Sequence, residues 1–305
     1  MEHIVSALIP IFLLILVGYL FKRIKFPSND FWASADKLTY YVLMPSLLIY
    51  KLSTANLDGL EAFDFVLTGI LGILTVLLVN LILNIKSKTS GASFSSVVQG
   101  SLRFNTYVYL ALITAIFGDE GIALAALLIT FAIPLINVIC ISIFAFFVND
   151  KKATFIGMIK SIITNPLIIA CLVGGSINYL DFTLPIVALN LLKILSASAL
   201  PMGLLSIGFA LDLSSVKEAK SELIVSTVLK LLLMPLIVYA IGVYFALDTL
   251  LLAIVLVFSA MPTAPSAFIL ARQLGGDTKL MASIITFQTL LSVLSVSLLL
   301  GLLAL

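Results

Sequence analysis

The sequence predicts an all-α integral membrane protein whose ten transmembrane helices form two inverted five-helix repeats. Three observations predict it. Hydrophobic residues make up 62% of the 305 positions. The basic residues fall almost wholly on one side of a ten-span reading. The sequence also matches itself at an offset of 156 positions.

Only 10% of the residues are charged, and the mean hydropathy is +1.24. A soluble domain cannot bury that much apolar surface, so lipid must be the solvent. Backbone groups in lipid are satisfied internally, by helices or a closed barrel. Barrel strands alternate polar and apolar residues, whereas runs such as IVSALIPIFLLILVGYLFK (4–22) do not. The net charge of +2 says little by itself and implies no nucleic-acid partner. Cys140 and Cys171 both sit in apolar runs, with no disulfide or metal spacing, and read as small packing residues. The first apolar run reads as a span rather than a removable signal: its positive cluster, Lys22, Arg23 and Lys25, follows the run instead of preceding it.

Apolar windows of about 20 residues place spans at 4–22, 30–51, 62–84, 93–116, 120–147, 163–180, 184–210, 221–245, 249–273 and 278–302. The links between them are short, so no extramembrane domain is expected. The longest link lies near NDKKATFIGMIKS and divides the chain into a first repeat (1–148), a linker (149–161) and a second repeat (162–305). Links after odd spans carry Lys22, Arg23, Lys25, Lys86, Lys88, Lys151, Lys152, Lys160, Lys217, Lys220, Arg272 and Lys279. The other side carries Lys51 alone. Basic loops stay cytoplasmic, which places both termini outside the cytoplasm in a cell (plasma or inner) membrane.

At the offset of 156, Pro10 meets Pro166, LVG (16–18) meets LVG (172–174), and Phe26 meets Phe182. Lys37 meets Lys193, Pro45 meets Pro201, and ITF (129–131) meets ITF (285–287). Leu and Ile coincidences are cheap in apolar sequence; paired prolines and tripeptides at one offset are not. Five is odd, so the second copy enters from the opposite side. Inverted repeats mark secondary transporters, with a midplane site where matching interrupted helices meet.

Those matching helices are spans 4 and 9. Span 9 contains SAMPTAPSAF, with Pro262 and Pro265 in mid-span. Proline lacks a donor and crowds a carbonyl one turn back, so a break is expected there, with Thr263 and Ser266 near freed backbone groups. Pro45 and Pro201 read as kinks. Span 4 contains SLRFNT, placing Arg103, Asn105 and Thr106 well inside the span. Arg103 lies roughly 15 Å deep at about 1.5 Å per residue. A charge at that depth costs about 2.5–3.5 kcal/mol or more on insertion scales. No carboxylate sits clearly at midplane, whereas Arg103, Lys193 and Lys230 all lie within spans. An electropositive interior suits a small organic anion, and guanidinium is the planar partner of a carboxylate. Snorkelling or structural roles also fit Lys193 and Lys230. Asn137, Gln288 and Thr289 are mid-span polar residues that suit packing hydrogen bonds, the binding site or a secondary ion site. The one histidine is His3, and no Walker loop, zinc motif or nucleophile elbow is present. No enzyme activity and no cofactor is expected.

At SLRFNT (101–106), AMPTAPSAFILAR (260–272) and YVLMPSLLIYKLS (41–53), the chain resembles the auxin efflux carrier family, which includes the plant PIN auxin carriers and bacterial organic-acid permeases. The resemblance covers essentially the whole chain. It implies the fold shared by PIN carriers and bile-acid symporters, with broken, crossing helices 4 and 9 and an elevator-like motion. It places Asn105 at the position that meets a substrate carboxylate and Pro262 at the proline of the ninth-helix crossover. Related carriers are often homodimers. The chain departs from the plant members in its short central link, and Phe104 stands where a proline is usual. The expected function is transport of an organic anion: a short mono- or dicarboxylate such as malate or malonate, or an auxin-like aromatic carboxylate. Two other readings stay open: a sodium-coupled organic-anion symporter of the bile-acid type, and a non-transporting membrane sensor of an organic acid.

Overall fold

The computed structural model describes residues 2–55, 62–86, 89–148, 163–213 and 221–302. All regular structure among these residues is helical. The helices are α1 (Glu2–Arg23), α2 (Asn29–Leu38), α3 (Met44–Ser53), α4 (Ala62–Lys86), α5 (Gly91–Leu102), α6 (Thr106–Phe147), α7 (Pro166–Tyr179), α8 (Ile186–Ala210), α9 (Ser221–Val228), α10 (Met234–Tyr244), α11 (Thr249–Ser259), α12 (Ser266–Leu274) and α13 (Thr278–Leu302). Among the described residues, five stretches are long and apolar enough to cross a membrane: Phe63–Ile85, Gly91–Phe147, Ile186–Ala210, Ser221–Tyr244 and Thr278–Leu299. Pro166–Tyr179 and Thr249–Ser259 are shorter apolar helices. The expected linker, 149–161, lies outside the described residues, as do Lys88, Lys217 and Lys220.

Several helix ends and bends follow from single residues. Asn165 caps α7 by accepting from the Leu167 and Ile168 amides at 2.9 and 3.4 Å, and Pro166 fills the first helical position, where no donor is needed. Asp248 caps α11 by accepting from Leu251 N at 2.9 Å. Asp248→Ala should therefore cost about 1 kcal/mol, read as a lower melting temperature in detergent. Ahead of Pro45, one turn widens into a π-helix over Thr39–Leu43, and the same happens over Leu229–Leu233 ahead of Pro235. The wider turn accommodates a proline ring that would crowd the preceding carbonyls. By contrast, α8 continues through Pro201. Inside α6, Gly118 adopts φ 63°, ψ −144°, which breaks the helical path between 93–116 and 120–147.

The ends of α1 and α7 share one backbone pattern. Lys25 and Asp181, 156 positions apart, both have positive φ, at 56° and 48°. Phe26 N donates to Phe21 O and Phe182 N to Ile177 O, at 2.9 and 3.0 Å.

Contacts divide the chain into two compact units. The first comprises Met1–Leu60, Tyr107–Thr130 and Ser161–Ala210. Within it, α1 and α8 pack at backbone contact through glycines. A Cβ on Gly18 would stand 2.0 Å from Leu205 O, and one on Gly208 would stand 1.8 Å from Ile15 O. Without a hydrophobic driving force in lipid, such close approach through small residues is what holds helices together. Trp32 stacks on Phe209 at 5.0 Å in the same unit.

The second unit comprises Glu61–Thr106, Phe131–Lys160 and Leu211–Leu305. Its core joins Val97 of α5, Phe144 of α6, Leu223 of α9, Ala267 and Ala271 of α12, and Met281 and Ile284 of α13. Both helix breaks that build the candidate site belong to this unit.

Candidate functional site

α5 stops at Leu102 because the backbone turns extended at Arg103 (φ −66°, ψ 150°), and helix resumes only at Thr106. α11 stops at Ser259, and α12 begins at Ser266, after Pro262 and Pro265. The two breaks satisfy each other. Asn105 N donates to Pro262 O at 2.7 Å. The Thr263 hydroxyl is within donating reach of Gln99 O, Gly100 O and Arg103 O, at 3.4, 2.9 and 3.1 Å. These carbonyls belong to the last turn of α5 and the residue after it, where a helix lacks internal donors. The prolines open the chain at one break, and bonds between the two breaks pair backbone groups of each.

Gln288 of α13 clamps the junction. Its Oε1 accepts from Thr263 N at 3.0 Å, and its Nε2 donates to Gly100 O at 3.0 Å and to Ser226 Oγ at 3.4 Å. Gln99 Nε2 donates to Ala267 O at 3.4 Å, tying α5 to the first turn of α12. Gly100 is needed at this point, since a Cβ there would lie 2.3 Å from Ser226 Oγ and 2.7 Å from Ile284.

Arg103 is half-buried and reaches two elements. Its Nη1 donates to Ser266 Oγ at the start of α12 at 3.2 Å, and its Nη2 to Asn137 Oδ1 of α6 at 2.5 Å. Its Nε is buried and has no hydrogen-bond partner. Both partners are neutral oxygens. An ion pair of the described residues, Lys51–Asp119, lies in the other unit.

The predicted site residues thus fall into two groups. Arg103, Asn137 and Ser266 come together as a hydrogen-bonded cluster, with Ser266 exposed, and Thr106 is half-buried at the start of α6. Asn105, Pro262, Thr263 and Gln288 are buried and join the breaks. Pro265 forms the residue before α12, and Thr289 bonds its own helix through Ile285 O at 2.7 Å. Of the other cations within spans, Lys193 is exposed, and Lys230 is fully buried. Sequence reasoning passed over Gln99 and Ser226. The signal that was there is a polar side chain in mid-span, which lipid penalises unless a partner waits for it.

An apolar chain, helical in its described residues, with two interrupted helices meeting beside a half-buried arginine has the build of a membrane transport protein. A model of the family described as "Membrane transport protein" matches residues 154–300. A "Putative malonate transporter" of Rhizobium meliloti is 25% identical, over 97% of this chain and 95% of the relative. An "Uncharacterized transporter" of Methanothermobacter thermautotrophicus is 24% identical, over 97% and 96%, and one of Methanocaldococcus jannaschii is 24% identical, over 94% and 95%. The chain is similar to this membrane transport family over residues 154–300, and the relatives it resembles over nearly all of its length are named as transporters, which indicates a transporter rather than an enzyme.

Proposed function

We propose that the chain is a secondary or facilitative carrier of small carboxylate anions, with Arg103 as the group that receives the carboxylate. The observation that carries this reading is a guanidinium in mid-span whose partners are neutral oxygens of Asn137 and Ser266. Neutral oxygens orient a guanidinium without cancelling its charge, so an anion gains both charge and hydrogen bonds there. Ser266 opens α12, and a helix N-terminus adds a further partial positive charge. The relative named for malonate supports a short carboxylate as cargo.

In this reading the chain crosses the cell membrane ten times, as two inverted repeats with both termini outside. The shared cap at Lys25 and Asp181 supports the repeat. So do the breaks after Leu102 and Ser259, which fall within one residue of the same offset. The unit that holds the joined breaks carries the anion by elevator-type alternating access, and the protein works as a homodimer.

A melting-temperature screen of the purified protein in detergent tests the reading. Ligands would be short mono- and dicarboxylates, indole-3-acetate, bile acids, amino acids and cations, each with and without sodium. A ligand that binds only the native state at 100 times its Kd adds about 2.7 kcal/mol of stability. Carboxylates are expected to stabilise, and flux of the best one into proteoliposomes should follow. Stabilisation only in sodium would move the assignment to a symporter. Stabilisation by cations alone would overturn the role given to Arg103, and binding without flux would leave a sensor.

A further inference from the structure

Lys230 lies in the π-helical turn Leu229–Leu233, and none of its surface is exposed. Lysines near span ends usually carry their ammonium out to water; this one does not. Its Nζ stands 3.4 Å from Met234 Sδ and 5.7 Å from the ring centre of Phe258. No carboxylate of the described residues stands within ion-pair distance of it. Phe258 packs edge-to-face on Phe104, with ring centres 4.6 Å apart. Phe104 is the residue between Arg103 and Asn105 in the first break, and both rings are buried. Two aromatic rings therefore separate Lys230 from the backbone that carries Arg103. A ring face attracts a cation, and an apolar surrounding transmits its field further than water does.

We propose that Lys230 is a specificity-determining residue: protonated while a dianion is bound, it supplies a second positive charge behind the Phe258–Phe104 pair and selects doubly charged carboxylates over singly charged ones. This rests on Arg103 as the carboxylate-binding group. Arg103 alone balances one carboxylate. A dianion bound there keeps one negative charge that Arg103 does not balance, and Lys230 balances it through the rings without touching the cargo.

The test compares malonate with its monomethyl ester, which has the same carbon chain and one charge fewer, above the second ionisation of malonate. Affinities are measured on the full chain in detergent. Wild type is expected to bind malonate about tenfold tighter, equivalent to about 1.4 kcal/mol. Lys230→Met keeps a long apolar side chain and should bring the two affinities together, with the monoester unchanged; should it not fold, Lys230→Gln is read in its place. A folded variant that keeps the tenfold preference overturns the proposal. So does a wild type with no preference, whatever the variants do. Arg103→Ala separates the two levels. Loss of both ligands in Arg103→Ala, with the preference intact in Lys230→Met, refutes the role of Lys230 alone. Retention of both ligands in Arg103→Ala refutes the carboxylate site itself and this inference with it.

Discussion

Arg103→Ala should weaken carboxylate binding by about 1.5–3 kcal/mol, the scale of a hydrogen bond to a charged group, or roughly 10- to 150-fold. The fold should survive, because the side chain bonds to Ser266 and Asn137 and lies beside the Cys140 thiol, while the backbone of the break is held separately, through Asn105 N and Arg103 O. Removing a half-buried cation also removes its desolvation cost, so the empty variant should melt no lower than wild type. Arg103→Lys keeps the charge but loses the flat fork that reaches two helices at once, and should recover only part of the affinity. Titration of the best-stabilising carboxylate against the three proteins measures this. Equal affinity in wild type and a folded Arg103→Ala would remove Arg103 from the site.

Gln288→Leu should be the most damaging single change at the junction, at about 3 kcal/mol. Leucine matches the size of the side chain but leaves Thr263 N without its acceptor and Gly100 O with one donor fewer, both in the buried interior. A stranded buried polar group costs about 1–3 kcal/mol, and in lipid no water is at hand to replace the lost bond. Since Gln288 holds both breaks, anion binding should fall along with stability. Gln288→Glu retains the acceptor for Thr263 N and should be milder in its effect on that bond. Thermal unfolding of both variants, followed by ligand titration, reads the two effects separately. A Gln288→Leu protein with wild-type stability would show that the junction closes without this clamp.

How much of this was legible in the sequence differs from residue to residue. The second break was plain, because Pro262 and Pro265, three residues apart, remove two backbone donors from one turn. The first break has no such mark: no proline occurs between Ser93 and Thr130. It opens because its hydrogen-bond partners, Pro262 O and Thr263 Oγ1, are brought to it from far along the chain. Local sequence contains no trace of that. Arg103 was legible from cost alone, since a permanent charge in mid-span needs a reason. Asn137 and Gln288 looked alike as mid-span amides, yet Asn137 meets the guanidinium and Gln288 braces the backbone. Chemistry named both as hydrogen-bonding residues, but only packing separates their duties. Lys193 and Lys230 were equally alike, and burial separates them.

The clamp also has a consequence for synthesis. Gln288 is 188 residues downstream of Gly100, whose carbonyl it caps. At about 5–20 residues per second, the end of α5 waits roughly 10–40 s before its partner leaves the ribosome. Throughout that interval Gly100 O lacks the side chain that later satisfies it, and the Thr263 amide lacks it over the last 25 residues. The joined breaks are therefore completed after translation of α13, the last described helix, rather than helix by helix as the spans emerge. A chain stalled before Gln288 would present an unfinished break to the quality-control machinery of the membrane.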